Sequence, residues 1–318
     1  MKIKVVIPYF GKLPDYFDLF LKSCEINSEI EFLIFTDQKV KKEYPTNVTV
    51  YHTEFEVLKK KICCALNLSK SAMKNFSPYK LCDFRPTYGL IFEDYLKDSD
   101  YWGYCDVDLI FGKIFDILDI GEVAKSERIL TQGHLTLYKN CPKMNHMFKL
   151  PLKGGINFDK VITYTEPCFF DEIFMPAICK SQNVIQYGDN CFADILPQYN
   201  QFVVAPTCTI KNVSNQKFYW ENGRLLREYT ESGNKMTDSL MYIHLQKRKL
   251  DCHYSYDDLK GRIYITPQGF FSASKYSEQC EMPSSSQKKI YFANRWKGFT
   301  PRKIWIKIKA EKFKEILS

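Results

Sequence analysis

The sequence predicts an α/β fold in which a mixed, mostly parallel sheet is flanked by helices and followed by a basic C-terminal extension. Three observations carry that expectation. The chain opens with strand-like and helix-like segments in alternation, and a later apolar strand runs into two aspartates, Asp106 and Asp108. The net positive charge is confined to the residues beyond a linker-like PSSSQ at 283–287.

The elements follow in order. Residues 3–11, IKVVIPYFG, are a β-branched run closed by Pro8 and Gly11, the pattern of a buried strand entering a loop. DYFDLFLKSCEIN at 15–27 has apolar residues at helical spacing, and EFLIFTDQ at 31–38 is a second buried strand ending at Asp37. NVTVYHTEF at 47–55 predicts a third strand, with helix-like sequence after it through Lys74. A helix broken near Pro86 is expected within 77–100, followed by the strand of YWGYCDVDLIFG at 101–112. Further strands are expected in RILTQGHLTLYKN (128–140), NQFVVAP (200–206) and SLMYIHLQ (239–246). Ligands of such a sheet sit at the carboxyl ends of its strands.

At 318 residues, 45% of them hydrophobic and 26% charged, the chain can bury a large core and does not resemble a disordered polymer. The predicted division is a main domain at 1–250, an accessory segment and linker at 251–287, and a basic segment at 288–318. Twelve cysteines are scattered without a C-x-x-C pair, which reads as reduced thiols in a cytoplasmic protein. MKIKVVIPYF has too short an apolar part for a secretory signal, and no apolar run is long enough to span a bilayer. Residues 288–318 hold ten basic and two acidic side chains, which accounts for the whole net charge of +8. The preceding body is formally neutral, which argues against nucleic acid as its partner.

On a strand, residues two apart face the same way, so Asp106 and Asp108 would project together from the end of a buried strand. Two carboxylates so close repel, and a divalent cation, Mg²⁺ or Mn²⁺, removes the repulsion. The plainer reading is a pair of turn or capping aspartates. His244 closes another apolar run beside Lys247, Arg248 and Lys249, so an imidazole and a cationic cluster share one strand end. Imidazole suits manganese as a third ligand, and lysine supplies a point charge for phosphate.

With its D-x-D after a buried strand in an α/β chain, the sequence resembles the nucleotide-sugar glycosyltransferases of the GT-A (Rossmann-like) fold over roughly its first 250 residues. The likeness is to bacterial glycosyltransferases of surface-polysaccharide clusters and, more distantly, to retaining families 8 and 32. The resemblance implies that Asp106, Asp108 and His244 hold a divalent cation gripping the donor diphosphate, with Lys247 or Lys249 beside it. YKLCDFRPTYG resembles the Asp and Arg segment that precedes D-x-D in family 32, which implies donor binding by Lys80, Asp83 and Arg85; a surface ion pair is the alternative. It also implies that Pro8, Tyr9, Phe10 and Asp37 frame the nucleoside, and that Gln132, Gly133 and His134 line the sugar pocket.

Asp171 and Glu172 in EPCFFDEIFMP match acidic pairs that meet the transferred sugar or acceptor in this fold, or they complement a helix dipole. With Gln132 they are the catalytic candidates. The expected activity is transfer of a sugar, from a UDP-sugar by preference, to a hydroxyl of a glycan or lipid-linked acceptor, with retention. A sugar-phosphate nucleotidyltransferase is the alternative enzyme, although IPYFGKLPDYF lacks a Gly-rich phosphate loop. A non-catalytic scaffold of a polysaccharide assembly complex is the other alternative. The basic segment, with Trp296 and Trp305 among lysines, suits an anionic membrane face on the cytoplasmic side, or is an ordinary docked helix.

Overall fold

The computed structural model describes residues 1–39, 43–73, 76–188, 191–246, 248–283 and 308. Lys247 and, apart from Ile308, the basic segment at 288–318 lie outside the described residues. No described helix is long and apolar enough to cross a membrane, and all twelve cysteines are free thiols.

In chain order the first strands are β1 (Ile3–Pro8), β2 (Ile30–Thr36), β3 (Val48–His52) and β4 (Tyr101–Cys105), mutually parallel in the order β3-β2-β1-β4. Helix Phe17–Glu25 joins β1 to β2 and helix Phe55–Leu66 follows β3. Period-two alternation divides the buried side chains between two cores. Ile3, Val5, Ile7, Phe32 and Ile34 enter one, while Val6, Leu33 and Phe35 enter the other. A sheet covered on both faces explains why its strands read as unbroken apolar runs. Each fully buried large side chain contributes about 1.5–3 kcal/mol.

Beyond β4 the pairing direction changes. The strands β5 (Leu109–Phe111), β6 (Arg128–Gln132), β7 (Leu135–Lys139) and β8 (Gln186–Tyr187) follow, and β7 lies antiparallel to β4 and to β6, with β8 parallel to β6. Contact between β4 and β7 is so close that a Cβ at Gly103 would run into the Thr136 carbonyl and stand 3.1 Å from Leu137 Cα. The central sheet is thus completed as β3-β2-β1-β4-β7-β6-β8. Its first strands lead away from β1 on one side and β4 lies on the other. That reversal of strand order is the switch point at which an open α/β sheet leaves a crevice.

A second sheet uses β10 (Lys217–Glu221), β11 (Arg224–Glu231), β12 (Asn234–Leu240), β14 (Asp251–His253), β15 (Ile263–Thr266) and β16 (Gly269–Ser272). All of its pairs are antiparallel except β14 with β16. The expectation of a mostly parallel architecture therefore holds for the first half of the central sheet and fails for the protein as a whole. The physical reason is turn chemistry. Asn222 and Gly223 both have positive φ, as do Ser232 and Gly233, and two such residues close the tight hairpins that force antiparallel pairing. This sheet also runs across residue 250, where the sequence had placed a boundary.

A third, three-stranded sheet joins β5, β13 (Tyr242–His244) and β9 (Ala193–Asp194). The expected strand at 239–246 is split at Met241, with β12 on one side in the second sheet and β13 on the other in the third. The strand expected at 200–206 is reduced to a single bridge between Ile195 and Val204, because its backbone meets only a short stretch of partner.

Near the end of the described chain, Glu281 accepts a hydrogen bond from the Tyr276 hydroxyl at 3.1 Å. Burial pushes its carboxyl up to about 7. An acid raised in the folded state is ionised more readily when unfolded, so stability falls as pH rises from about 4.5 through 7, with the full deficit above that. Glu281→Gln is therefore expected to raise the melting temperature at pH 8 and to leave it unchanged at pH 4; equal effects at both pH values would contradict the assignment.

Candidate functional site

Backbone register assembles the site from segments far apart in sequence. Cys105 pairs with Leu135 across β4 and β7, and the Asp106 amide donates to the His134 carbonyl at 3.0 Å, which sets His134 beside the first aspartate. Leu109 pairs with His244 across β5 and β13, and the Leu245 amide donates to the Asp108 carbonyl at 2.9 Å. His244 pairs in turn with Asp194 of β9. Three short pairings thus bring Asp106, Asp108, His134, Asp194 and His244 together at the carboxyl end of β4.

The His244 Nε2 lies 3.5 Å from Asp108 Oδ1 and 3.8 Å from Asp106 Oδ2. Its Nδ1 is 2.9 Å from Asp194 Oδ1, to which Gln246 Nε2 donates at 2.7 Å. One ligand atom from each of Asp106, Asp108 and His244 falls within 4.8 Å of the others, and the same holds for His134, Asp194 and His244. Burial opposes charge on His244, but Asp108, hydrogen bonds to Asp108 and Asp194, and Asp106 outweigh it and push the imidazole up to about 10. Burial raises the Asp194 carboxyl, and the bond to His244 with the charge around it brings the balance below the usual value. Burial pushes His134 well below the ordinary histidine range, and neighbouring His244 adds to the effect. The protein therefore places a positive imidazolium where three carboxylates converge, with a neutral imidazole alongside.

Arg85 fixes the first aspartate. Its Nη2 donates to Asp106 Oδ1, and its Nη1 donates to Gly133 O at 2.6 Å and to Asp171 Oδ2 at 2.9 Å. Asp106 consequently has one oxygen on Arg85 and the other turned toward His244. Asp171 stands in a π-helical turn, Phe170–Phe174, entered through Phe169 at φ 59. That left-handed residue is straddled by Asp83, which accepts the Cys168 amide at 2.8 Å and the Phe170 amide at 2.9 Å. Lys80 donates to Asp83 at 2.7 Å and to the Glu166 carbonyl at 2.8 Å. Burial pushes the Asp171 carboxyl above its usual range against the pull of Arg85.

The sequence-predicted residues do not all converge. Asp106, Asp108, His244, His134, Arg85 and Gly133 converge. Pro8, Tyr9, Phe10 and Lys249 line the two clefts, of about 370 and 450 Å³, that flank the 106–108 bend; Tyr9 borders both. Lys80, Asp83 and Asp171 do not reach the clefts, because all three are buried and clamp the turn at 168–174. Gln132 is half-buried at the end of β6, Glu172 is exposed and packs over Gly133, and Asp37 is exposed. Asp37 holds the loop after β1 by accepting the Gly11 amide at 3.2 Å. The cationic cluster is dispersed, since Arg248 turns inward to the Leu196 and Tyr199 carbonyls and Lys247 lies outside the described residues. Sequence reasoning missed Asp194, and also Tyr16 and Cys82, which line the first and the second cleft. Asp194 is two residues after buried Phe192 in a stretch with no periodic signal, and only its pairing with His244 reveals it.

Removing one partner of a buried ionic network leaves the rest uncompensated, at a cost of about 3–5 kcal/mol. Arg85→Met is expected to destabilise the protein to that extent in urea unfolding, and Asp171→Asn added to it should recover part of the loss. Additive losses would show that the two groups do not interact.

A model described as a family of unknown function, DUF6625, matches residues 5–274. No curated protein matches the chain.

Proposed function

The chain belongs to the DUF6625 family, and we propose that it is a divalent-cation-dependent glycosyltransferase moving a sugar from a nucleotide-sugar donor to a hydroxyl acceptor. The observation that carries this reading is the convergence of Asp106, Asp108 and His244 at a switch-point crevice, reached from three separate strands. The central sheet order, parallel through β4 and then antiparallel, is compatible with the GT-A resemblance.

The donor set fits a hard or borderline divalent cation. It offers two carboxylates and an imidazole nitrogen whose opposite nitrogen is held by a carboxylate, the usual orientation of a metal-binding histidine. The carboxylates that favour a proton on His244 would favour a cation at the same place, and the cation would displace that proton. When bound there, the ion would supply Lewis-acid neutralisation of the leaving nucleoside diphosphate.

The chain's own residues perform the remaining tasks. Tyr9, Pro8 and Phe10 offer an apolar and aromatic wall for a base, at the end of β1 beside the carboxylates. Lys249 presents an ammonium to the same region as Asp106 and Asp108, suited to a phosphate oxygen. Arg85 keeps Asp106 aimed. In the reaction the bond from the anomeric carbon to the diphosphate oxygen breaks, and the acceptor oxygen forms the new bond. Asp171 is unsuited to take the acceptor proton, because it is buried and bound to Arg85. The resemblance to retaining families implies that the acceptor proton passes to the departing phosphate oxygen on the same face, with retention. Surface glycans and lipid-linked sugars are the acceptor classes implied by the resemblance.

Two measurements check this reading. In a thermal-shift panel of UDP, GDP, CDP and their common sugars, one nucleotide is expected to stabilise the protein only with Mn²⁺, and Asp108→Ala should abolish the shift. Indifference to every nucleotide would overturn the assignment. Asp194→Asn should lower Mn²⁺ affinity by roughly 10–100-fold in an electron paramagnetic resonance titration while leaving the fold intact, as expected for a carboxylate that orients a histidine ligand; unchanged affinity would remove Asp194 from the centre.

A further inference from the structure

His134 is buried to 7% exposure, yet its Nδ1 has no hydrogen-bond partner among the described residues. Buried polar atoms without partners are uncommon, and one on a residue beside a cluster of charged groups calls for a ligand. Its ring is wedged against Phe192 and Tyr242, with centroids 5.2 and 5.4 Å away, and neither neighbour satisfies the nitrogen. The His244 ring lies closer, at 4.4 Å and tilted by 33°. A ligand atom of His134 comes within 4.8 Å of ligand atoms on both Asp194 and His244. Because the Asp106 amide is bonded to the His134 carbonyl, the ring is carried by the same backbone that positions the first aspartate.

We infer that His134 is a second imidazole ligand of the cation centre, and that the centre thereby selects a borderline transition ion such as Mn²⁺, Co²⁺ or Zn²⁺ over Mg²⁺. This deepens the reading above and rests on it. The sequence alone had implied a sugar-pocket role for this residue. A neutral imidazole with a free lone pair is the ligand form, and the unpartnered Nδ1 leaves His134 a nitrogen not committed to any hydrogen bond among the described residues. Magnesium favours an all-oxygen octahedron and keeps its waters, so two nitrogen donors penalise it, while affinity for imidazole rises along the later divalent ions. His134 and His244 therefore act as a filter on which ion enters between the carboxylates.

The test uses the full chain. Pulsed electron paramagnetic resonance on the Mn²⁺-loaded wild type counts the coordinated nitrogens, and titrations with Mn²⁺ and Mg²⁺ compare wild type with His134→Gln. Two imidazole nitrogens in the wild type, one in the variant, and a loss of tenfold or more for Mn²⁺ with less than twofold for Mg²⁺ are expected. A single nitrogen in the wild type would overturn the inference without any variant needing to fold, and would return His134 to the substrate. Equal losses for the two ions would also overturn it. A wild type that binds no Mn²⁺ would overturn the metal-dependent reading itself, which separates the two failures.

Discussion

The half-buried Arg85 guanidinium is the interaction on which the site depends. It holds Asp106, Asp171 and the Gly133 carbonyl at once. These groups come from the end of β4, a π-helical turn and the bend between β6 and β7. A lysine could not replace it, because a single ammonium lacks the planar fork that reaches separate acceptors in fixed directions. Glycine at 133 is part of the same constraint. A Cβ there would run into the Glu172 side chain, pushing the bend away from the turn that Arg85 ties to it.

The rest of the network exists to aim that guanidinium. Lys80 and Asp83 neutralise one another out of water, and Asp83 still has both oxygens available to amides on either side of left-handed Phe169. This stabilises a backbone conformation that a phenylalanine rarely adopts. The π-helical turn begins there and delivers Asp171 to Arg85. Ion pairs without access to solvent contribute little net stability over apolar substitutes, so their retention here is better explained by geometry than by energy. The end of the relay is a carboxylate, Asp106, that has one oxygen committed and one presented.

The sequence made the two aspartates and His244 legible because each closes an apolar run, where a charged or ionisable group is costly unless it has a task. The first four strands were legible for the same reason, since a sheet buried on both faces leaves unbroken runs. Lys80 and Asp83 looked alike in sequence to an exposed i, i+3 pair, and only tertiary burial distinguishes them. Asp194 carried no signal at all, because a two-residue strand has no periodicity to read. The antiparallel sheet was legible in principle: Asn222–Gly223 is a strong hairpin signal, and it went unread among more conspicuous apolar segments.

The distribution of the donors along the chain has a physical consequence for how the centre forms. Asp106 and Asp108 are neighbours, but His134, Asp194 and His244 arrive only after β7, β9 and β13 have paired. An unfolded chain offers a cation nothing better than the D-x-D pair, whereas the folded chain offers two groups of three donors that share His244. Binding free energy therefore accrues to the native state almost alone. The imidazolium of His244 supports the same assembly before any ion arrives, because it screens carboxylates that would otherwise repel the strands holding them. The protein can fold first and bind afterwards, since a proton on His244 already balances part of the carboxylate charge and would be released when a cation takes its place.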